Sequence, residues 1–400
     1  MNLITWQHNP LRDFAPSASL TLFERVQADR IHHYHQSWPR YQPTPLRSLD
    51  QLAAHWGLQA VLIKDESQRW GLQAFKGLGG THGVGRYLAE YYGLSPRADF
   101  SALKARASEK PPVVFATATD GNHGVGIAWA ATQLGHSSKI FMPKGSSRAR
   151  VQAIQGVGGD VEVTHLDYDA TVAWVASEAG KQGWVLIQDT SWEGYDTIPQ
   201  WIMQGYMTMM AEEFLNNGAG PANKPTHVIV QAGVGSFATA IVAFLANFYE
   251  RNMPQVIVVE PTEAACFYRS VEIGDRSLYP SQGSLSTIMA GLACGIANPM
   301  AWEILQHWVT TFATCDDRVA ARGMRILGNP LPDDPRIVAG ESGAVGLGLL
   351  SLIMDNPQYA GLREMMGFGP EACVLLFNTE GATDPIMYRR IVWDGYLGES

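Results

Sequence analysis

Six short stretches carry residue types that could do chemistry. The first is QAFKGLGG (73–80), where Lys76 stands between apolar neighbours at the start of a helical pattern. An ammonium held in an apolar pocket loses proton affinity, which frees the amine to form a Schiff base with an aldehyde. Taken alone, Lys76 reads as a solvated lysine on an amphipathic helix, because charged groups are usually solvated. The second is QAGVGSFA (231–238), which follows an apolar run and opens a helical pattern. Its glycines let backbone approach an anion, and a helix N-terminus supplies free N–H groups, so Gly233, Val234, Gly235 and Ser236 could hold a phosphate. The same stretch matches G-x-G-x-x-A, and Glu260 ends the next apolar run, which is the pattern of a dinucleotide site. The motif by itself leaves both readings, and a plain tight turn, open.

The third stretch is TATDGNHG (117–124). Thr119 and Asp120 suit a helix N-cap. With Gly121 and Asn122 they could instead form a loop whose backbone N–H groups hold a substrate carboxylate, with Asn122 donating to a ligand oxygen. His123 alone reads as a packed histidine. The remaining three are QDTSW (188–192) with Asp189, AGESGA (339–344) with Glu341, and NTEGATD (378–384) with Thr379; each in isolation is an ordinary loop.

These stretches need elements to position them. Near-continuous apolar runs at 60–64, 113–117, 139–142, 161–164, 185–188, 227–231, 256–260 and 373–377 read as strands buried on both faces. Helical patterns lie between them at 75–92, 122–134, 170–182, 199–216 and 237–251. Strand and helix in alternation imply an α/β fold with mostly parallel, twisted sheets. Residues 94–112 read as an exposed connection and 217–225 as a Gly/Pro/Asn loop. Every chemistry-bearing stretch then falls at a strand's C-terminal end or a helix start, where open α/β sheets place their crevices. The pair Gly79-Gly80 and the turn at 192–194 are expected to act as hinges.

Composition narrows the class. The 400 residues carry a net charge of −9, which argues against a nucleic-acid partner. Apolar residues at 46% support a large core, and charged residues at 17% are too few for a disordered chain. No run is long and apolar enough to suggest a membrane partner, and the first residues do not read as a secretory signal. Four cysteines exclude a disulfide scaffold; Cys266 and Cys294 are expected to be free thiols in a reducing, cytoplasmic setting. His32 and His35 could share a helix face, but without an acidic or cysteine partner nearby no metal is expected.

The order of the six stretches resembles the pyridoxal-phosphate enzymes of the tryptophan-synthase-like fold, fold type II, from about Asp65 to Asp384. Asp65-Glu66-Ser67 followed by Phe75-Lys76, then T-D-G-N-H-G, Q-D-T-S-W, A-G-V-G-S-F and N-T-E-G-A-T-D, most resemble the diaminopropionate ammonia-lyase family. The resemblance implies a large domain of 1–83 and 196–400 and a small α/β domain of 84–195, with pyridoxal 5′-phosphate between them. It implies Lys76 as the residue that bonds the cofactor aldehyde, Gly233–Ser236 on its phosphate, Asn122 on its ring 3′ oxygen, Thr379 at its ring nitrogen and Glu341 as a further contact. Thr119, Asp120, Gly121 and Asn122 would hold the amino-acid substrate. One departure separates this chain from the serine and threonine dehydratases of the fold: Asp120 stands where they carry a small residue. Next to a substrate carboxylate, Asp120 would repel unless it has work to do. It could pair with a second ammonium or take a Cα proton.

The implied reaction is α,β-elimination of D- and L-2,3-diaminopropionate to pyruvate and two ammonia. Asp120 is expected to act on the D isomer and Asp189 on the L isomer, with free Lys76 a competing base, and His123 and Tyr168 as acids or supporting groups. A serine, threonine or D-serine dehydratase is the nearer alternative, and an NAD-dependent oxidoreductase the distant one. Enzymes of this fold are commonly dimers, so a homodimer is expected.

Overall fold

The apolar runs expected as buried strands are strands in the computed structural model, which describes residues 2–215 and 224–398. The loop read at 217–225 therefore lies outside the described residues up to 223, as does Asn216. The strands are β1 (Ile4–His8), β2 (Leu46–Ser48), β3 (Ala60–Asp65), β4 (Val114–Ala118), β5 (Ser137–Met142), β6 (Asp160–Val163), β7 (Val185–Leu186), β8 (His227–Gln231), β9 (Gln255–Pro261), β10 (Thr311–Cys315) and β11 (Cys373–Asn378). They form two sheets. A seven-stranded sheet has the order β1-β10-β9-β8-β11-β3-β2, and a four-stranded sheet the order β6-β5-β4-β7. All pairings are parallel except at the two edges of the larger sheet, where β1 and β2 run antiparallel.

The differences from expectation have physical causes. Strands β1, β2 and β10 carry Thr, Gln, Arg and Ser among their apolar residues, so no continuous apolar run announced them. The helix expected over 199–216 is two helices, Thr197–Gly205 and Thr208–Phe214. At the break, Gly205 sits so close to helix Lys76–Tyr92 that a Cβ there would lie 2.6 Å from the Leu78 carbonyl oxygen. The stretch read as a bare connection holds a short helix, Phe100–Arg106, which Asp99 caps by accepting from the Ala102 N–H. Among the described residues no helix is long and apolar enough to cross a membrane. All four cysteines are free and buried.

Register and helix packing together position the site. Val228 pairs with both Val256 and Leu375, which brings the ends of β8 and β11 to one edge of the larger sheet. Helix Lys76–Tyr92 then crosses helix Asn122–Leu134 at backbone contact. A Cβ on Gly80 would come 2.7 Å from the Gly126 carbonyl carbon, and one on Gly126 would come 2.8 Å from the Lys76 carbonyl oxygen. Gly79 is equally crowded, 2.6 Å from the Tyr206 ring. The Gly79-Gly80 pair is therefore a packing surface inside a helix, and the hinge expected there is corrected: these glycines remove bulk where two helices meet.

That crossing delivers Lys76 to the loop before Asn122. Gly126→Ala is expected to lower stability by about 1–3 kcal/mol, the usual cost of overpacking, as measured by denaturant unfolding. A variant as stable as the parent would mean that the crossing has room to spare.

Candidate active site

A cavity of about 690 Å³, open in part to solvent, lies between residues from the two sheets' sides. From the larger sheet's side come Phe75, Lys76, Gln231, the turn at 232–237, Ser342, Thr379 and Glu380; from the smaller sheet's side come Thr119, Asp120, Asn122, His123, Tyr168 and Asp189. Lys76 is the first residue of helix Lys76–Tyr92, and its amine lies 2.5 Å from Asp189 Oδ2. The two side chains are 15% and 4% exposed. Burial alone would lower the proton affinity of the Lys76 amine, as the sequence suggested. Asp189, with Tyr206 and Asp120, reverses this and holds the group well above the ordinary lysine range. Before it can act as a nucleophile, this amine must therefore lose the proton that Asp189 stabilises.

The two aspartates are driven apart. Burial raises Asp189, but the Lys76 ammonium and His123 bring it down to about 2, so it stays ionised. Asp120 is raised, first by burial and further by Asp189, while Arg150 and Lys76 oppose the rise. A pair of carboxyls with divergent proton affinities is the arrangement that assigns acid and base roles at one pH. Asp189 is held in place from several sides. Ser236 Oγ donates to its carbonyl oxygen at 2.8 Å, and Gln188 is tied to β4 through the Thr117 hydroxyl and the Ala118 N–H.

His123 bonds the Ile187 carbonyl oxygen through Nε2 at 2.8 Å. A carbonyl only accepts, so Nε2 carries the hydrogen and Nδ1 is a bare acceptor, 3.9 Å from Asp189 Oδ2. Burial lowers its proton affinity. Tyr168 opens helix Tyr168–Gln182, and burial together with Asp189 pushes its phenol up, so it keeps its proton. Thr119 Oγ1 accepts from the N–H groups of Gly121 and Gly124 at 2.9 and 3.2 Å, which shapes the loop around Asp120.

The turn before helix Ser236–Tyr249 fits an anion. Gly235 has φ +96, and a Cβ there would lie 2.4 Å from the Phe267 ring. A Cβ on Gly233 would reach 3.1 Å from the Gly291 carbonyl oxygen. Only glycine leaves this hollow open, and the first helical turn presents N–H groups without intrahelical acceptors. Three buried polar atoms of cavity-lining residues, His123 Nδ1, Gln231 Oε1 and Ser342 Oγ, have no hydrogen-bond partner. A polar, phosphate-bearing ring compound with an aldehyde for Lys76 suits this lining: an anion cradle at one place, a buried amine at another, and unpaired polar atoms on the walls.

Two expected contacts do not line the cavity. Glu341 is buried at the start of helix Glu341–Asp355, pushed up to about 7 by burial and by Glu380. Gly121 shapes the loop from behind. Residues not singled out by the sequence do line it: Ser342, Glu380, Leu292, Cys294 and Gly291. Glu380 accepts from Asn122 Nδ2 at 2.5 Å and from the Ser342 N–H at 3.0 Å. Its neighbour Thr379 was legible, and the same strand-end logic would have reached it. The segment at 291–294 carries no local signal and arrives through tertiary packing. Glu260, the acid a dinucleotide site would need, is fully buried and accepts from the N–H groups of Phe267 and Tyr268. Spent as a helix cap, it cannot reach a ribose.

Residues 38–360 match the family model described as pyridoxal-phosphate dependent enzyme. The chain is 48% identical to the diaminopropionate ammonia-lyase of Escherichia coli strain K12 over 375 residues, 94% of this chain and 93% of that one. Its structure is similar to that of the Escherichia coli diaminopropionate ammonia-lyase in complex with D-serine, with a TM-score of 0.92, 44% identity and 98% of each chain covered. The complex of that enzyme with an aminoacrylate-PLP azomethine reaction intermediate gives a TM-score of 0.91 at 44% identity, covering 99% of each chain.

Asp189→Asn removes the anion that holds the Lys76 proton while keeping the side chain's shape. Burial then prevails, and the amine falls below the ordinary lysine range. In cofactor-free protein, acylation of Lys76 near neutral pH is expected to rise by at least about tenfold, one pKa unit or more, as read by peptide mass spectrometry; an unchanged rate would mean that Asp189 does not control this amine.

Proposed function

The chain belongs to the pyridoxal-phosphate dependent enzymes, and we infer that it eliminates ammonia from 2,3-diaminopropionate, taking the D and L isomers to pyruvate and two molecules of ammonia. The observation that carries this reading is the presence of two carboxylates, Asp120 and Asp189, in the same cavity as the Lys76 amine. Lys76 would hold the cofactor aldehyde, Gly233, Val234, Gly235 and Ser236 its phosphate, Asn122 its ring 3′ oxygen and Thr379 its ring nitrogen. When bound, pyridoxal phosphate supplies an electron sink joined to the substrate's Cα.

The chain's own groups supply the proton chemistry. With the carboxylate and α-nitrogen of the substrate held fixed, inverting Cα turns its hydrogen to the opposite face. One base cannot serve both faces. Asp120 takes the Cα proton of the D isomer and Asp189 that of the L isomer, with Lys76 available on the L side once free. Thr119, Gly121 and Asn122 shape the loop that receives the substrate carboxylate. An amine leaves only when protonated. Tyr168 retains its proton and can donate, whereas His123 offers a lone pair beside Asp189 and receives. Asp120 and Glu380 together favour a substrate bearing a second, cationic amine over one bearing a hydroxyl.

We take 84–195 as the smaller unit that packs over the rest, and the working form as a cytoplasmic homodimer. The four free, buried thiols support a reducing compartment. Ile386 and Trp393, 73% and 80% exposed near the C-terminus, support a self-associating face.

Formation of the 2-oxoacid, pyruvate from D- and L-diaminopropionate and D- and L-serine and 2-oxobutyrate from L-threonine, tests the substrate directly; faster turnover of serine or threonine would overturn the reading. Asp120→Asn is expected to cut turnover of the D isomer by about 10²–10⁴-fold, the usual worth of a general base, with a much smaller effect on the L isomer. Asp189→Asn should do the reverse, and equal losses on both isomers in both variants would refute the two-base assignment. Lys76→Ala is expected to abolish the borohydride-stable cofactor adduct, seen by mass spectrometry.

A further inference from the structure

We propose that Gln231 is a positioning residue that dictates which way the Thr379 hydroxyl points, and thereby keeps the ring nitrogen of the bound cofactor unprotonated. This rests on the reading above that sets Thr379 at that nitrogen. Gln231 ends β8, is 1% exposed, and lines the cavity. Its Nε2 lies 2.8 Å from the Ser342 carbonyl oxygen, 3.1 Å from the Phe377 carbonyl oxygen and 3.1 Å from Thr379 Oγ1. Two of these neighbours are carbonyls and can only accept. Turning the amide over would press its oxygen against both, so its orientation is fixed by chemistry. The other end of the amide, Oε1, has no hydrogen-bond partner. The fold holds this side chain for its donor end even though that leaves a buried acceptor unpaired, which is costly.

An amide nitrogen has no lone pair to offer. Thr379 therefore accepts from Gln231 and must send its own hydrogen elsewhere; the residue is 3% exposed and lines the cavity. A hydroxyl committed to donating satisfies the lone pair of a pyridine nitrogen and opposes its protonation. A neutral ring stabilises negative charge at Cα less well, so that charge is discharged by loss of the β-amine rather than by return of the proton. Gln231 thus biases the site toward elimination and away from exchange or inversion at Cα without touching the substrate.

Gln231→Glu places an oxygen where the amide nitrogen stood. Facing two carbonyl oxygens, that acid keeps its proton and donates it to one of them, while its oxygen accepts from Thr379, which then turns its lone pairs toward the ring. Holoenzyme reconstituted with ring-labelled pyridoxal phosphate is read by nitrogen NMR, and Cα deuterium exchange is followed in alanine, which has no leaving group. The expected result is an unprotonated nitrogen in the parent, a shift of its protonation equilibrium by at least about tenfold in Gln231→Glu, one pKa unit for one redirected hydrogen bond, and faster exchange relative to ammonia release. Gln231→Leu, which frees the hydroxyl to rotate, should give a smaller shift in the same direction, and decides the matter if the Glu variant does not fold. A nitrogen unmoved in both variants overturns the proposal. So does an equal shift from Gln231→Glu in a Thr379→Ala background, which would mean that Gln231 acts without Thr379. If Thr379→Ala alone leaves the nitrogen signal unchanged, it is the placement of Thr379 that fails, and the proposal falls with it.

Discussion

The Lys76 ammonium and the Asp189 carboxylate meet at 2.5 Å, one delivered by a helix packed against helices Asn122–Leu134 and Thr197–Gly205 and the other by a loop beyond the smaller sheet. Neither charge could be buried alone without a heavy desolvation cost. Folding of these distant segments against one another therefore completes the ion pair. The glycine contacts between helices Lys76–Tyr92 and Asn122–Leu134 allow the approach, and the Ser236 hydroxyl bond to the Asp189 carbonyl oxygen ties the glycine turn at 232–237 to the same point.

From this pair follows the division of labour among the acids. Asp189 beside a cation is held ionised at about 2, whereas burial and neighbouring carboxylates raise Asp120 and Glu380. Carboxyl groups thus differ in proton affinity within one cavity. A cavity lined by three acids, one of them held ionised beside a cation, suits a substrate with two amines, one to bind the coenzyme and one to leave.

A second buried charge network stands behind the site. Arg69 is fully buried between Glu66 and Glu212, and Lys64 bonds Glu212 and Glu213. Asp65 accepts from Asn378 at 2.8 Å and from Ser67. The Asp-Glu-Ser stretch at 65–67 is therefore scaffold: it locks the segment leading to Lys76 against the segment leading to Thr379. The Phe75 N–H donates to the Thr379 carbonyl oxygen at 3.1 Å along the same seam. These cross-links hold the seam, and a site needing fixed distances requires such support.

The sequence by itself determined the alternation of strands and helices and the placing of six polar or glycine-rich stretches, Lys76 and the glycine turn among them, at strand ends and helix starts. These follow from local rules: apolar runs for doubly buried strands, glycine where backbone must approach an anion, and polar residues just past strand ends. It could not determine the proton state of Lys76, because that depends on Asp189, 113 positions away in the chain. It could not exclude Glu260 from a dinucleotide role, because the N–H groups that consume that acid lie in a helix six residues on. Nor could it see that Gly79 and Gly80 serve packing, or that Gln231 faces two carbonyls and one hydroxyl. Those are decided only when distant segments are brought within hydrogen-bond distance, since electrostatics and steric fit act through space and leave no periodic trace along the chain.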